Sequence, residues 1–201
     1  MKKIFNYDRI EIGGTTVILK GRLEHAICDE IEETAKPFVE NVECNLKNTK
    51  RTGWVLFEKP EFAPVFQKFS DKVTETILSY AQARPILGLG HNGTYNVNCR
   101  YFNAWVAWYS SDSFVQPHQH AGGEMFSPEY SLSAYLKVPD DSTELTFVPR
   151  ELKTIENYKI EVKQGDFLIF PSSLMHYTND CKEGRVILSA NFTVTAATNE
   201  T

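Results

Sequence analysis

The segment QPHQH at residues 116–120 and the segment PSSLMH at residues 171–176 decide the predicted fold and site. They hold three of the five histidines of the chain, His118, His120 and His176. On an extended backbone alternate residues share a face, so His118 and His120 point their imidazoles to the same side. A third histidine from a separate strand would complete a site of three nitrogen ligands for a transition metal. Two surface loops that contain histidine are the ordinary alternative, and so short a motif does not decide between them.

The composition excludes several classes of protein. A chain of 201 residues with 42% hydrophobic and 12% aromatic residues suits one domain with a buried core. The net charge of -5 gives no electrostatic basis for binding nucleic acid. The four cysteines are far apart without a C-x-x-C pair, which argues against a zinc knuckle or a redox dithiol. Because neither a signal-peptide pattern nor a membrane-length apolar run is found, we expect a soluble cytoplasmic protein with no membrane partner.

The first 96 residues combine a predicted hairpin with two predicted helices. A Gly-Gly turn within the β-branched residues 10–19 predicts a hairpin, with an edge strand as the alternative. Apolar residues at steps of three and four predict one amphipathic helix from Leu23 to Pro37 and a second that ends before Pro85. We expect both helices to pack on the outside of a sheet. The other assignments are a loop over residues 41–53, a short strand over 54–57 and a connection over 87–96.

After residue 96 the pattern is that of β structure. A long strand over residues 97–109 would place four side chains on one face: Tyr101, Asn103, Trp105 and Ala107. Further strands are predicted over residues 131–138, 144–148, 158–163, 166–170 and 186–194. Many short strands separated by turn residues indicate a β-sandwich or barrel. We expect one domain over residues 1–201, with a helical and mixed flank over 1–96 and a barrel core over 97–195.

The sequence around His176 adds a turn and a cation to the predicted site. Residues 165–171, GDFLIFP, read as a turn that enters an apolar strand, which the proline ends. His176 would then lie at the lip of the barrel. Arg185 opens the last strand, and a fixed guanidinium beside a metal suits a small carboxylate ligand. A surface arginine at the start of a strand is the alternative.

Taken in order, these segments resemble the iron(II)- and 2-oxoglutarate-dependent oxygenases. The similarity is greatest to a phage and bacterial branch of that superfamily. The matching pieces are NAW at 103–105, QPHQH at 116–120, SLSAYLKVP at 131–139, LIFPS at 168–172 with His176, and RVILSANF at 185–192. They cover residues 97–195, about half of the chain. The resemblance implies a mainly β fold with flanking helices: a double-stranded β-helix, or jelly roll, preceded by two supporting helices. A phage-encoded member would work in the host cytoplasm.

The resemblance also implies an enzyme, its cofactor and its site. Iron(II) would be held by His118, His120 and His176, and the catalytic-site cation Arg185 would pair with the distal carboxylate of the cosubstrate 2-oxoglutarate. The expected reaction is hydroxylation of a C–H bond with decarboxylation of 2-oxoglutarate to succinate. The side chains assigned to the cosubstrate pocket, each with plain barrel packing as its alternative, are Tyr101, Asn103, Trp105 and Asn191. The primary substrate, a small molecule or a protein residue, is not identified, and a homodimer is left open.

Two positions depart from the pattern of these oxygenases. Most of them use H-x-D or H-x-E, with two histidines and one carboxylate, but His120 stands at the position of the acid. Either the site has three histidines or another acid completes it, and Glu124 is the candidate. The serine often found two residues after the arginine is replaced by Ile187, so one cosubstrate contact is missing.

A cupin-type metal protein is the competing hypothesis, and it shares the barrel architecture. Residues 118–124 also resemble the cupin motif H-x-H-x3-E, which would give four ligands: His118, His120, Glu124 and His176. Such a site could serve a dioxygenase, an isomerase or a small-ligand binder, and a barrel without catalysis is a third class. The oxygenase is favoured because Ser173 replaces a cupin glycine, because the helices precede the barrel, and because Arg185 is present.

Overall fold

The structure, a computed structural model, describes residues 7–12, 16–40, 49–83, 95–111, 113–121, 128–139, 144–149, 157–181 and 183–198. The described elements include two helices, α1 (His25–Ala35) and α2 (Ala63–Ala83). The described strands are β1 (Tyr7–Ile12), β2 (Thr16–Arg22), β3 (Val39–Glu40), β4 (Thr49–Thr52), β5 (Tyr95–Tyr109), β6 (Ser113–His118), β7 (Tyr130–Lys137), β8 (Glu144–Val148), β9 (Tyr158–Glu161), β10 (Asp166–Pro171), β11 (Met175–Cys181) and β12 (Arg185–Thr198).

Two antiparallel sheets form the barrel. The larger has the order β1-β2-β10-β7-β12-β5-β4-β3, and the smaller has the order β6-β11-β8-β9. One apolar cluster takes side chains from both sheets, among them Tyr135, Phe147 and Phe170, so it fills the space between them. The expectation of a mainly β fold with flanking helices is therefore confirmed.

The two helices cover the other face of the large sheet. A second apolar cluster joins α1 and α2 to that sheet, so strand β10 is buried on both sides. Phe167 and Ile169 of β10 belong to the helix-side cluster, whereas Leu168 and Phe170 belong to the inter-sheet cluster. Burial on both faces explains the unbroken apolar run of this strand. Each such side chain contributes roughly 1.5–3 kcal/mol to folding.

The hairpin and both helices of the first half are confirmed, with small shifts at their ends. Strands β1 and β2 pair antiparallel, while the predicted glycine turn lies outside the described residues. Helix α1 begins at His25, two residues later than expected. Helix α2 ends at Ala83, and the connection predicted over residues 87–96 lies outside the described range except for its last two residues, which belong to β5. In the described residues, no helix is long and apolar enough to cross a bilayer.

Two predictions between the helices were wrong. Within the segment expected to be a loop, β4 pairs antiparallel with the C-terminal end of β5, while residues 41–48 lie outside the description. Residues 54–57 do not form a strand, because Val55 makes one isolated bridge to Ala104 and the chain then enters a single 3-10 turn at Leu56–Glu58. The φ of -112° and ψ of 41° at Val55 take the backbone out of the extended region.

A bulge in β5 overturns the expectation that Tyr101 shares a face with Asn103 and Trp105. Asn191 pairs with Asn103, but the next residue, Phe192, pairs with Tyr101, so Phe102 is the extra residue. One inserted residue reverses the faces on either side of it. Tyr101 therefore packs with the helix-side cluster, while Trp105 belongs to the inter-sheet cluster.

Candidate metal centre and its cavity

Two neighbouring strands and one turn bring the three predicted histidines together. His118 ends β6, and His176 lies directly opposite it near the start of β11. His120 follows two residues later, where its backbone N–H donates to the carbonyl of Ser172 at 2.9 Å. One ring nitrogen from each histidine lies within 4.8 Å of the others. Since a metal holds imidazole nitrogens at about 2.1 Å, movements of under ~1 Å would let all three share one ion.

Backbone carbonyls fix the ring orientation of two of the histidines. Nδ1 of His118 lies 2.8 Å from the carbonyl oxygen of Gln116, and Nδ1 of His176 lies 3.0 Å from that of Leu174. A carbonyl oxygen can only accept, so each Nδ1 carries the hydrogen. The other ring nitrogen, Nε2, then keeps its lone pair for a metal, which is the usual arrangement of metal-binding histidines. These hydrogen bonds fit a metal site. The sequence around the two histidines does not have the pattern of a buried core.

A polar network orients the third histidine. Nδ1 of His120 donates to Oδ1 of Asn191 at 2.6 Å, and the same oxygen accepts from Ser131 at 2.7 Å. The amide nitrogen of Asn191 donates to Oδ1 of Asn103 at 2.8 Å, and Ser172 donates to Ser131 at 2.9 Å. His120 therefore also presents Nε2, and all three rings are held in the same tautomer. The roles of Ser131 and Ser172 were missed in the sequence, where nothing distinguishes two serines in a network from two packed small residues.

His120 and Glu124 are the two candidates for the third ligand. His120 belongs to the described group of three histidines, whereas Glu124 lies outside the described residues. Within the described part of the chain, the three-nitrogen set is the one group of His, Cys, Asp and Glu side chains with a metal-binding arrangement.

Burial keeps two of the imidazoles neutral. It lowers the pKa of His120 to about 4, against a smaller opposing effect of the Asn191 hydrogen bond. It lowers the pKa of His176 to about 3, with repulsion from His118 as the next cause. Near neutral pH both rings are uncharged, with one nitrogen free of hydrogen, as metal ligands must be.

We expect the metal-free protein to lose stability as the pH falls through 6.5. The folded-state pKa values of His120 and His176 lie below the unfolded value of about 6.5. The unfolded chain therefore binds more protons in this window, and acidification favours it. Each histidine accounts for a loss of up to about 1.4 kcal/mol per pH unit. Urea unfolding of the metal-free protein across this range measures the slope.

Matched variants separate this effect from general acid destabilisation. His176→Gln should flatten the slope, whereas His25→Gln, which changes an exposed histidine of α1, should leave it unchanged. An unaltered slope in His176→Gln would show that burial does not hold this imidazole neutral.

A cavity of about 800 Å³ opens beside the three histidines. Three of the four side chains predicted for a cosubstrate pocket line it, namely Asn103, Trp105 and Asn191. Tyr101 lies instead on the helix side, where its ring is 4.8 Å from that of Phe66. The prediction for Tyr101 fails because of the bulge in β5.

Arg185 lies behind the cavity wall. It is 1% exposed and stands on the face of β12 that carries Ile187 and Asn191, both of which line the cavity. Its guanidinium carbon is 5.2 Å from the ring centroid of Tyr135, and Tyr135 also lines the cavity. Arg185 itself is not among the described lining residues of the cavity, but it packs against the lining residue Tyr135.

The barrel with a histidine triad at its cavity has the fold of the iron(II)/2-oxoglutarate oxygenases. A prolyl-4-hydroxylase from Pseudomonas putida superimposes with a TM-score of 0.62 at 17% identity, over 89% of this chain and 93% of that chain. HygX from Streptomyces hygroscopicus, solved with nickel and 2-oxoglutarate bound, gives 0.60 at 14% identity, over 89% and 83%. A viral collagen prolyl hydroxylase from Paramecium Bursaria Chlorella virus-1, in complex with 2-oxoglutarate, gives 0.53 at 19% identity, over 94% and 97%.

The superpositions confirm the jelly-roll architecture expected from the sequence resemblance. No protein-family model matches the chain, and no curated protein is similar to it in sequence. At such low identity the likeness defines the fold, and the chemistry has to be argued from the site.

Proposed function

We propose that this protein is an iron(II)- and 2-oxoglutarate-dependent dioxygenase whose metal is held by His118, His120 and His176. One observation carries the proposal. Each of the three rings is anchored through Nδ1 to an oxygen acceptor, which leaves Nε2 for a metal, and one ring nitrogen of each histidine lies within 4.8 Å of the others beside a cavity. Histidines in ordinary packing have no reason to share both the tautomer and the direction.

The protein residues would supply a binding site that is open on one side. Three imidazole ligands leave further positions at a metal for other ligands, as three-ligand iron sites do. Iron(II) with 2-oxoglutarate and O2 supplies an oxidant for C–H bonds, while 2-oxoglutarate becomes succinate and CO2. Trp105 and Tyr135 wall the cavity and would keep water from the reacting groups.

We assign Arg185 to the distal carboxylate of 2-oxoglutarate. The guanidinium is buried on the strand face that looks into the barrel, where the low dielectric strengthens its attraction for an anion. A guanidinium binds a carboxylate through two parallel hydrogen bonds. Movement of the Tyr135 ring would expose the guanidinium of Arg185 to the cavity. Ile187 makes the neighbouring wall apolar, so the serine contact of other oxygenases has no equivalent at that position.

Anaerobic addition of iron(II) and 2-oxoglutarate tests the proposal. The weak visible charge-transfer band of an iron–2-oxo acid chelate should appear only when both are present, and it should saturate at one equivalent of each. Iron that is retained without the band would leave a metal protein of another kind, such as the cupin-type alternative. Failure to retain iron would contradict the proposal altogether.

Several broader expectations stay predictions. They are the hydroxylation of a C–H bond, the single-domain organisation, the cytoplasmic location and the lack of a nucleic-acid partner. Whether the protein forms a homodimer is also open. Light scattering on the purified protein would decide the homodimer.

A further inference from the structure

A second arginine, which the sequence reasoning passed over as part of a polar loop, lines the cavity. Arg51 lies in β4, is 7% exposed and contributes to the cavity wall. Its Nη1 donates to the carbonyl of Thr52 at 2.9 Å, but its buried Nε has no hydrogen-bond partner among the described residues. A buried cation is costly unless it is paired. The guanidinium therefore favours the binding of an anion from the cavity.

The protein offers Arg51 no carboxylate within the described part of the chain. Glu40 stands opposite Arg51 in the pairing of β3 with β4, but it is exposed and its carboxylate lies beside Gly53. The described lining of the cavity contains neither Asp nor Glu, and Arg51 is its only Lys or Arg. The charge of this lining at neutral pH is thus positive, and it is concentrated at one guanidinium.

Two tryptophan side chains, Trp54 and Trp105, lie between Arg51 and the histidines. The guanidinium carbon of Arg51 lies 4.1 Å from the ring centroid of Trp54. Trp54 lines the cavity and is 48% exposed, so this side of the cavity is open. The rings of Trp54 and Trp105 pack edge-on, with their centroids 4.5 Å apart. The backbone carbonyl of Trp54 accepts a hydrogen bond from the N–H of Ala104 at 2.7 Å. The Trp105 ring is in turn 6.1 Å from that of His120. A fixed, half-exposed tryptophan provides a rigid contact surface for the body of a ligand.

We propose that Arg51 and Trp54 form the subsite for the primary substrate, and that this substrate is a small carboxylic acid. The inference rests on the proposed function, with Arg185 reserved for 2-oxoglutarate. Beyond the contact of Nη1 with Thr52, the guanidinium has further N–H groups without a described partner, and an edge of two N–H groups matches a carboxylate. A phosphate would call for additional cations, which the described lining lacks. The carboxylate binds at Arg51, the body of the acid lies on Trp54, and its C–H bonds face the histidines.

Relaxation of ligand protons by a paramagnetic ion tests the proposal without turnover. The protein is loaded with manganese(II) in place of iron(II) and with 2-oxoglutarate. The probes are small carboxylic acids, including the twenty common amino acids, each paired with its carboxamide. We expect at least one acid to bind with its protons broadened by the metal, and its amide to bind about tenfold to a hundredfold more weakly.

Three variants make the result specific. Arg51→Gln should weaken the acid by about tenfold to a hundredfold, and Trp54→Leu, an exposed position, should weaken it less. Arg100→Gln, which changes an exposed arginine of β5, is the matched control and should have no effect. The iron–2-oxoglutarate band, recorded for each variant, shows that the protein is folded and tests the proposed function separately.

Three outcomes would overturn the subsite. The first is that no acid of the panel binds near the metal, or that the acids and their amides bind with equal affinity. The second is an acid whose affinity survives Arg51→Gln. The third is a large loss of 2-oxoglutarate affinity in Arg51→Gln, which would place the cosubstrate at Arg51. A missing band in the unmodified protein would instead count against the oxygenase itself.

Discussion

Replacing His120 by alanine should weaken iron(II) binding by roughly a hundredfold or more, whereas replacing Glu124 by alanine should change it by no more than a few-fold. Loss of even an outer partner of a metal ligand costs about 10–100-fold in affinity, and His120→Ala removes the ligand itself. His120 is held by Asn191 with Nε2 free to coordinate. Anaerobic titration against a competing chelator measures both affinities, and His25→Ala, at an exposed histidine, is the control.

The opposite order of effects would change the assignment of the third ligand. A large loss in Glu124→Ala with little loss in His120→Ala would mean that a carboxylate completes the site. Large losses in both variants would indicate the four-ligand, cupin-type centre. An additional variant, Asn191→Leu, should weaken iron less than His120→Ala, because it removes the orienting partner but keeps the ligand.

Replacing Arg185 by methionine should weaken 2-oxoglutarate by about a hundredfold while iron(II) affinity changes little. Truncation of one partner of a buried, hydrogen-bonded charge pair costs about 2–5 kcal/mol, and each 1.4 kcal/mol is about tenfold. Arg185 is buried in the barrel wall against the ring of Tyr135. The chelate band, titrated with 2-oxoglutarate at saturating iron, measures the change.

The control for this variant is Arg100→Gln, which should retain full affinity for both. Thermal unfolding of the metal-free proteins shows whether Arg185→Met is folded. If iron and 2-oxoglutarate affinities fall equally in a folded variant, Arg185 acts on the metal site as a whole, and the cupin-type alternative is favoured.

The barrel and the histidines could be predicted because local sequence specifies them. The run FLIF in β10 is apolar on both faces, which is typical of a strand covered on both sides. The turn before it contains Gly165 at a φ of 88°, a conformation that favours glycine. The H-x-H spacing and the later His176 indicate adjacent ligands, and their strands do pair.

Other features could not be predicted because pairing partners decide them. The face of Tyr101 depends on one extra residue, Phe102, relative to β12. Strand β11 has a polar sequence with weak alternation, and its neighbours β6 and β8 stabilise it. Strand β4 is short and polar, so its pairing with β5, and the placement of Arg51 in the cavity, are visible only in the fold.

A crystal structure of the protein grown without oxygen, with iron(II) and 2-oxoglutarate bound, tests the central claim most directly. Anomalous scattering identifies the iron. We predict one ion with Nε2 of His118, His120 and His176 at about 2.1 Å, and the distal carboxylate of 2-oxoglutarate at Arg185. An ion coordinated by Glu124 in place of His120, or one that is not held by the three histidines at all, would contradict the account.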